Sequence, residues 1–70
     1  DPAYLPGTGT PEPGGIDWPT FAALLAAIPS GQIVGADVME LAPQLDTSGG
    51  SSVLAAKATR ELIIKIQSQG

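Results

Sequence analysis

Two features of this sequence could take part in chemistry: a carboxylate in an apolar segment, and a loop rich in glycine and threonine. Glu40 stands near the end of the apolar stretch QIVGADVMEL. A carboxylate in such a place needs a cation or several hydrogen-bond donors, and a guanidinium or an ammonium group would serve. On the residues alone, a salt bridge to an Arg elsewhere in the protein and a ligand-binding role explain Glu40 equally well.

The second feature is the loop PGTGTP, residues 6–11. Closely spaced backbone N–H groups in such a loop can form a nest for an anion. The spacing argues against a nucleotide site, because no Lys follows the glycines and Glu12 stands where a dinucleotide motif needs glycine. As a bare pattern, the loop is more typical of a rigid turn than of a binding site.

The composition excludes several function classes. The 70 residues contain neither His nor Cys, so a zinc finger and a Ser-His triad are both impossible within this chain, and we expect it to supply no metal ligand. Three Lys or Arg face seven Asp or Glu, a net charge of −4 that disfavours nucleic acids and anionic membranes. The lack of cysteine fits a reducing compartment, and we expect a cytoplasmic protein.

The elements that must position these residues follow from local signals. Residues 1–16 are broken by proline and glycine and are predicted to form a loop. Asp17 as N-cap and Pro19 in the first turn predict a helix over 17–28. An apolar stripe at helical spacing predicts a second helix over 52–67. The polar residues before and at its start are interpreted as turn and cap residues: Asp46, Thr47, Ser48, Ser51 and Ser52.

The stretch 32–41 is apolar on both alternating faces, which predicts a strand buried on both sides in a parallel α/β sheet. Asp37 would point to the face opposite Glu40 and brace a neighbouring element. No second strand is apparent to pair with this one, and unpaired buried backbone groups are costly. We therefore expect an incomplete loop–helix–strand–helix portion of a larger α/β protein, or a chain that assembles with others; a first residue of Asp1 also suggests a fragment.

The stretch DPAYLPGTGTPEPGG closely resembles the ureohydrolase superfamily, which includes agmatinases, arginases, formimidoylglutamases and guanidinobutyrases. In that family an Asp-x-Asp pair of metal ligands is followed two residues later by Asp-Pro and a Pro-x-Thr-Gly-Thr-Pro-x-x-Gly-Gly loop. GADVMELAP, residues 35–43, resembles the last core strand, and LDTSGGSSVLAAKATREL resembles the turn and C-terminal helix. Gly7, where animal arginases usually have Ala, makes the loop more similar to the agmatinase branch.

The resemblance implies roles for particular residues. Glu40 matches the glutamate that pairs with the substrate guanidinium, and Thr10 matches a threonine close to it. Gly7, Thr8 and Gly9 belong to the loop that shapes the pocket. Asp1 matches an aspartate of the motif that is not a metal ligand.

The resemblance also implies a three-layer arginase-like fold, two Mn²⁺ ions, a homo-oligomer (trimer or hexamer) and hydrolysis of a small guanidino substrate to an amine and urea. The metal-binding His and Asp residues would lie in a remainder of the chain, and another divalent metal could fill such a site. The isolated 70 residues should then be inactive. The rival hypothesis is a non-catalytic structural or interaction module that adds its strand to a partner sheet.

Overall fold

A computed structural model describes residues 1–68 of the chain. Helix α1 spans Trp18–Ala27, a short 3₁₀ turn spans Pro43–Leu45, and helix α2 spans Gly50–Gln67. The last two residues of the predicted 1–70 unit lie outside the described part.

Helix α1 begins where its local signals place it. The Asp17 carboxylate accepts the Thr20 N–H at 2.8 Å, which satisfies one of the free donors of the first turn. Hydrogen bonds from the Thr20 hydroxyl and backbone N–H lower the pKa of Asp17. The helix ends when Ile28 turns extended before Pro29, so it occupies most of the predicted range 17–28.

Helix α2 begins two residues before the predicted 52–67, because side chains upstream satisfy its first N–H groups. Ser48 Oγ accepts the Gly50 N–H at 3.0 Å, and Asp46 Oδ2 accepts the Ser51 N–H at 2.8 Å. The N-cap residue itself, Gly49, provides no side-chain cap. Within residues 1–68, Ala55 on α2 is the only buried apolar side chain, so these helices enclose very little core.

The segment predicted as a doubly buried strand, 32–41, requires a correction. The described part of the chain contains no strand, and this segment runs without regular structure. Val34 is fully exposed and Met39 is 74% exposed. The physical reason is that a strand needs neighbouring strands for its ladder of hydrogen bonds, and residues 1–68 contain no such strand.

The N-terminal loop, by contrast, is held by a network around Asp1. One oxygen of the Asp1 carboxylate accepts the N–H groups of Gly14 and Gly15, at 3.0 and 2.9 Å, and the other accepts the N–H of Ala3 at 2.9 Å. A Cβ at Gly15 would come within 2.8 Å of the Asp1 backbone, so this close approach requires glycine. The two ends of the loop therefore meet at Asp1.

Aromatic side chains join this loop to both helices. The Trp18 and Phe21 rings lie 5.2 Å apart, and Lys57 of α2 places its Nζ 4.4 Å from the centre of the Trp18 ring. Tyr4 and Leu54 complete the walls of an open apolar groove between the loop and the two helices. Neither helix, over the residues described, is long and apolar enough to cross a membrane.

Candidate functional site

The predicted site residues belong to two segments, the glycine-rich loop and the end of segment 32–41. In the loop, Gly7 is buried and Thr8 is half-buried, while Gly9 and Thr10 are exposed. Glu40 is exposed as well, so its predicted burial is wrong for this chain.

The backbone of Glu40 is unusual. Its φ of 71° makes it the one non-glycine residue with a left-handed backbone among residues 1–68. Side chains other than Gly, Asn and Asp seldom adopt this region, because the Cβ crowds the backbone. The carboxylate is therefore carried by a strained backbone position near the end of segment 32–41.

A backbone hydrogen bond links the loop to Ala42, the residue that follows segment 32–41. The carbonyl oxygen of Gly7 accepts the N–H of Ala42 at 2.7 Å. Thr10 lies three residues after Gly7, and Glu40 lies two residues before Ala42. The residues that the sequence singled out are thus tied to one point of contact between distant parts of the chain.

Gly7 makes a second hydrogen bond through its backbone N–H, to Ser51 at the start of α2. Gly7 donates to Ser51 Oγ at 2.8 Å, and the Ser51 hydroxyl donates to Asp46 Oδ2 at 2.5 Å. Ser51 is completely buried. The pattern DTSGGSS predicted only a turn and a cap here; the bond between Gly7 and Ser51 joins residues 44 apart in sequence, and no local pattern signals such a partner.

The Asp46 carboxylate organises this turn. Asp46 Oδ1 accepts the Ser48 hydroxyl at 2.6 Å and the Ser48 N–H at 3.1 Å, while Oδ2 accepts the two bonds from Ser51. These bonds, led by those from the Ser48 and Ser51 hydroxyls, hold the pKa of Asp46 far below its usual value of 3.8. Asp46 therefore stays an ionised acceptor.

Thr8 and Thr10 line an open depression on the loop together with Asp1 and Glu12. Glu40 lies outside this depression. The predicted site residues Thr10 and Glu40 therefore do not line the same depression in the described part of the chain.

The residues present do not fit a metal centre. The chain has neither His nor Cys, and nowhere in residues 1–68 do three acidic side chains gather as a metal-binding group would require.

Comparison with known families identifies the class of protein. A model of the Arginase family matches residues 1–65, and the chain therefore belongs to the Arginase family. The resemblance to ureohydrolases inferred from the loop and strand motifs is confirmed. The family implies an α/β arginase-like fold, of which residues 1–68 show only the helical and loop parts.

Individual relatives fall in the same group of enzymes. The chain is 46% identical over 63 residues to the proclavaminate amidinohydrolase of Streptomyces clavuligerus, covering 90% of this chain and 20% of that protein. It is 39% identical over 66 residues to the agmatinase of Halalkalibacterium halodurans, covering 91% and 23%. It is 36% identical over 63 residues to the guanidinobutyrase of Pseudomonas aeruginosa, covering 90% and 20%.

The chain spans about a fifth of the length of these curated relatives. Comparison with solved structures gave no match.

Proposed function

We propose that this chain is the C-terminal part of a dinuclear-metal amidinohydrolase that converts a guanidino compound, agmatine or a molecule like it, to an amine and urea. The relatives support the reaction class, since they include an amidinohydrolase, agmatinases and a guanidinobutyrase. The chain would supply the guanidinium-binding wall. The ligands of both metal ions would come from the remainder of the protein, because the residues described here hold no such group.

The observation that carries this proposal is the hydrogen bond from Ala42 to Gly7. It supports the proposal because it joins the glycine-rich loop to the residue two after Glu40, and the loop and Glu40 both resemble substrate-binding segments of the family. The left-handed backbone of Glu40 supports the same role, since strained backbone often marks a functional residue.

Glu40 would bind the substrate by its charge and shape. A carboxylate accepts two parallel N–H bonds from a planar guanidinium, and this pairing fixes both the position and the plane of the group. Thr10 would line the pocket beside it, with Gly7, Thr8 and Gly9 forming its floor. The part of segment 32–41 that precedes Glu40 would become a strand when the remainder of the protein supplies neighbouring strands.

The test is urea release by the full chain that carries this segment. The protein is supplied with Mn²⁺ and assayed on agmatine, 4-guanidinobutyrate and 3-guanidinopropionate. We expect urea from at least one of them. The absence of urea from all three, with protein that is folded and contains metal, would overturn the proposal.

The role of Glu40 is tested by Glu40→Gln. Removing a charged hydrogen-bonding partner of the substrate should lower kcat/KM about a hundredfold. The matched control is Glu61→Gln, which breaks only an exposed ion pair with Arg60 on α2 and should change kcat/KM less than about twofold. Equal effects of the two substitutions would contradict the assignment of Glu40.

A second candidate function is a non-catalytic module that adds its strand to a partner sheet. The exposure of Val34 and Met39 favours it, because an apolar segment without regular structure is suited to adding a strand to a partner sheet. Native mass spectrometry separates the two hypotheses. The enzyme hypothesis expects two divalent metals per active site in the assembled protein, and the module hypothesis expects a partner with no metal.

A further inference from the structure

The strongest feature outside the predicted site residues is the buried contact that joins Gly7, Ser51 and Asp46. Ser51 is the only buried polar side chain among residues 1–68. A serine hydroxyl has one proton to donate. Because that proton goes to Asp46 at 2.5 Å, the same oxygen is left to accept from the Gly7 N–H at 2.8 Å.

The direction of this chain of hydrogen bonds is fixed. Asp46 accepts four bonds from Ser48 and Ser51 and offers no proton in return. The Ser51 hydroxyl therefore has no alternative orientation that keeps both of its partners. A lone pair of the Ser51 oxygen therefore faces the loop, and the Gly7 N–H is hydrogen-bonded only when the loop places it against that oxygen.

Both backbone polar groups of Gly7 are hydrogen-bonded. Its carbonyl oxygen accepts from Ala42 at 2.7 Å, while its N–H donates to Ser51. A Cβ at this position would lie 2.7 Å from Ser51 Cβ and 3.3 Å from the Ala42 carbonyl oxygen. The peptide of Gly7 is thus clamped between the start of α2 and the segment that carries Glu40.

We propose that Ser51, oriented by Asp46, is a positioning residue that sets the place of the glycine-rich loop relative to Glu40 and so determines how well the enzyme binds a guanidinium group. This inference rests on the proposed function. Ser51 does not touch the substrate; it acts through Gly7, and Gly7 lies three residues from Thr10 and is bonded to the backbone two residues after Glu40.

The test uses Ser51→Ala in the full chain, with Ser52→Ala as the matched control. Ser52 is the next residue of α2 and makes none of these contacts. Loss of the acceptor leaves the buried Gly7 N–H unpaired, and we expect KM for the best guanidino substrate to rise about tenfold while metal content stays unchanged. A purely structural role would lower the melting temperature and the active fraction and leave KM as it was.

Amide hydrogen exchange provides a readout independent of turnover. The peptide that contains residues 7–15 should exchange faster in Ser51→Ala and at the wild-type rate in Ser52→Ala. If Ser51→Ala does not fold, Asp46→Asn replaces it, since this change weakens the bond that orients the Ser51 hydroxyl; a rise in KM supports the proposal there too, and an unchanged KM overturns it.

The outcomes separate the two proposals. Absence of urea from the wild-type protein overturns the proposed function, and the hydrogen exchange then still tests the contact between Ser51 and the loop. Urea release by the wild type, with KM of Ser51→Ala within about twofold of it, overturns the positioning role. An unchanged exchange rate of the loop in Ser51→Ala overturns it as well.

Discussion

Two regions of this chain are held in opposite ways. The loop over 1–15 and the turn before α2 are fixed by hydrogen bonds that close within the chain, through Asp1 and Asp46. Segment 32–41 has apolar side chains exposed to solvent, and Val34 is fully accessible. The difference shows which parts of the chain can complete their own backbone hydrogen bonds. Polar turns do so with nearby side chains, whereas a strand needs other strands as hydrogen-bond partners.

The largest loss of stability should come from removing a backbone N–H donor in segment 32–41, which depends on partner strands. In the full chain, Val34→Pro should lower the free energy of unfolding by about 3 kcal/mol, since a buried carbonyl of the neighbouring strand loses its partner. Chemical denaturation measures this change. Val34→Thr keeps the N–H and is the control; equal losses in the two variants would show that the backbone of Val34 makes no sheet hydrogen bond.

The region fixed by hydrogen bonds within the chain is probed next by Gly7→Ala. The added methyl group would overlap Ser51, whose Cβ lies 2.7 Å away, and we expect a loss of about 2 kcal/mol in stability from this overpacking. The control is Gly9→Ala, because no atom lies within 4 Å of a Cβ at Gly9. Denaturation midpoints of the two variants in the full chain should differ clearly; matching midpoints would mean that the Gly7 contact yields without cost.

These two regions also differ in how far sequence could predict them. The N-terminal loop and both helices follow from local signals such as Asp17, Pro19 and the apolar spacing of α2, and the structure has them within about two residues of the expected limits. The apolar pattern of 32–41 predicts a strand, but a strand needs pairing partners, and residues 1–68 contain none.

The candidate site divides in the same manner. Glu40 and Thr10 were singled out by the family motifs, and their roles remain predictions. Ser51 was interpreted only as a turn or cap residue, because its partner Gly7 is distant in sequence and carries no side chain to mark the contact. Contacts from side chain to backbone across long separations leave little trace in a single sequence.

A smaller loss of stability should follow when the pH is lowered. The pKa of Asp46 is lowered in the folded protein, so this carboxyl stabilises the fold fully above its ordinary pKa of 3.8, and the contribution is lost as the pH falls below that value. Asp46→Asn should therefore be less stable than wild type at pH 7, and the gap should narrow below pH ~4.

Melting temperatures of both proteins from pH 7 to pH 3 measure this gap. Asp37→Asn is the control, since the exposed Asp37 makes none of the Asp46 hydrogen bonds. A gap for Asp46→Asn that stays constant over the whole range would contradict the assignment.

The smallest effect should come from Lys57, which connects α2 to the N-terminal end of α1. Lys57→Met removes the cation over the Trp18 ring and should cost about 0.5 kcal/mol, with a change in Trp18 fluorescence. Lys57→Arg keeps a cation and should retain both stability and emission. Identical spectra for Lys57→Met and wild type would show that this contact is not formed in solution.

The Asp1 carboxylate, which draws the N–H groups of Gly14 and Gly15 to itself, has a consequence for ligand binding. These bonds hold the two ends of the loop together and restrict the conformational freedom of the glycines in the loop. Any ligand that bound this loop would meet an ordered segment. The entropy of arranging it is lost when the protein folds, and the free energy of binding is not reduced by that amount.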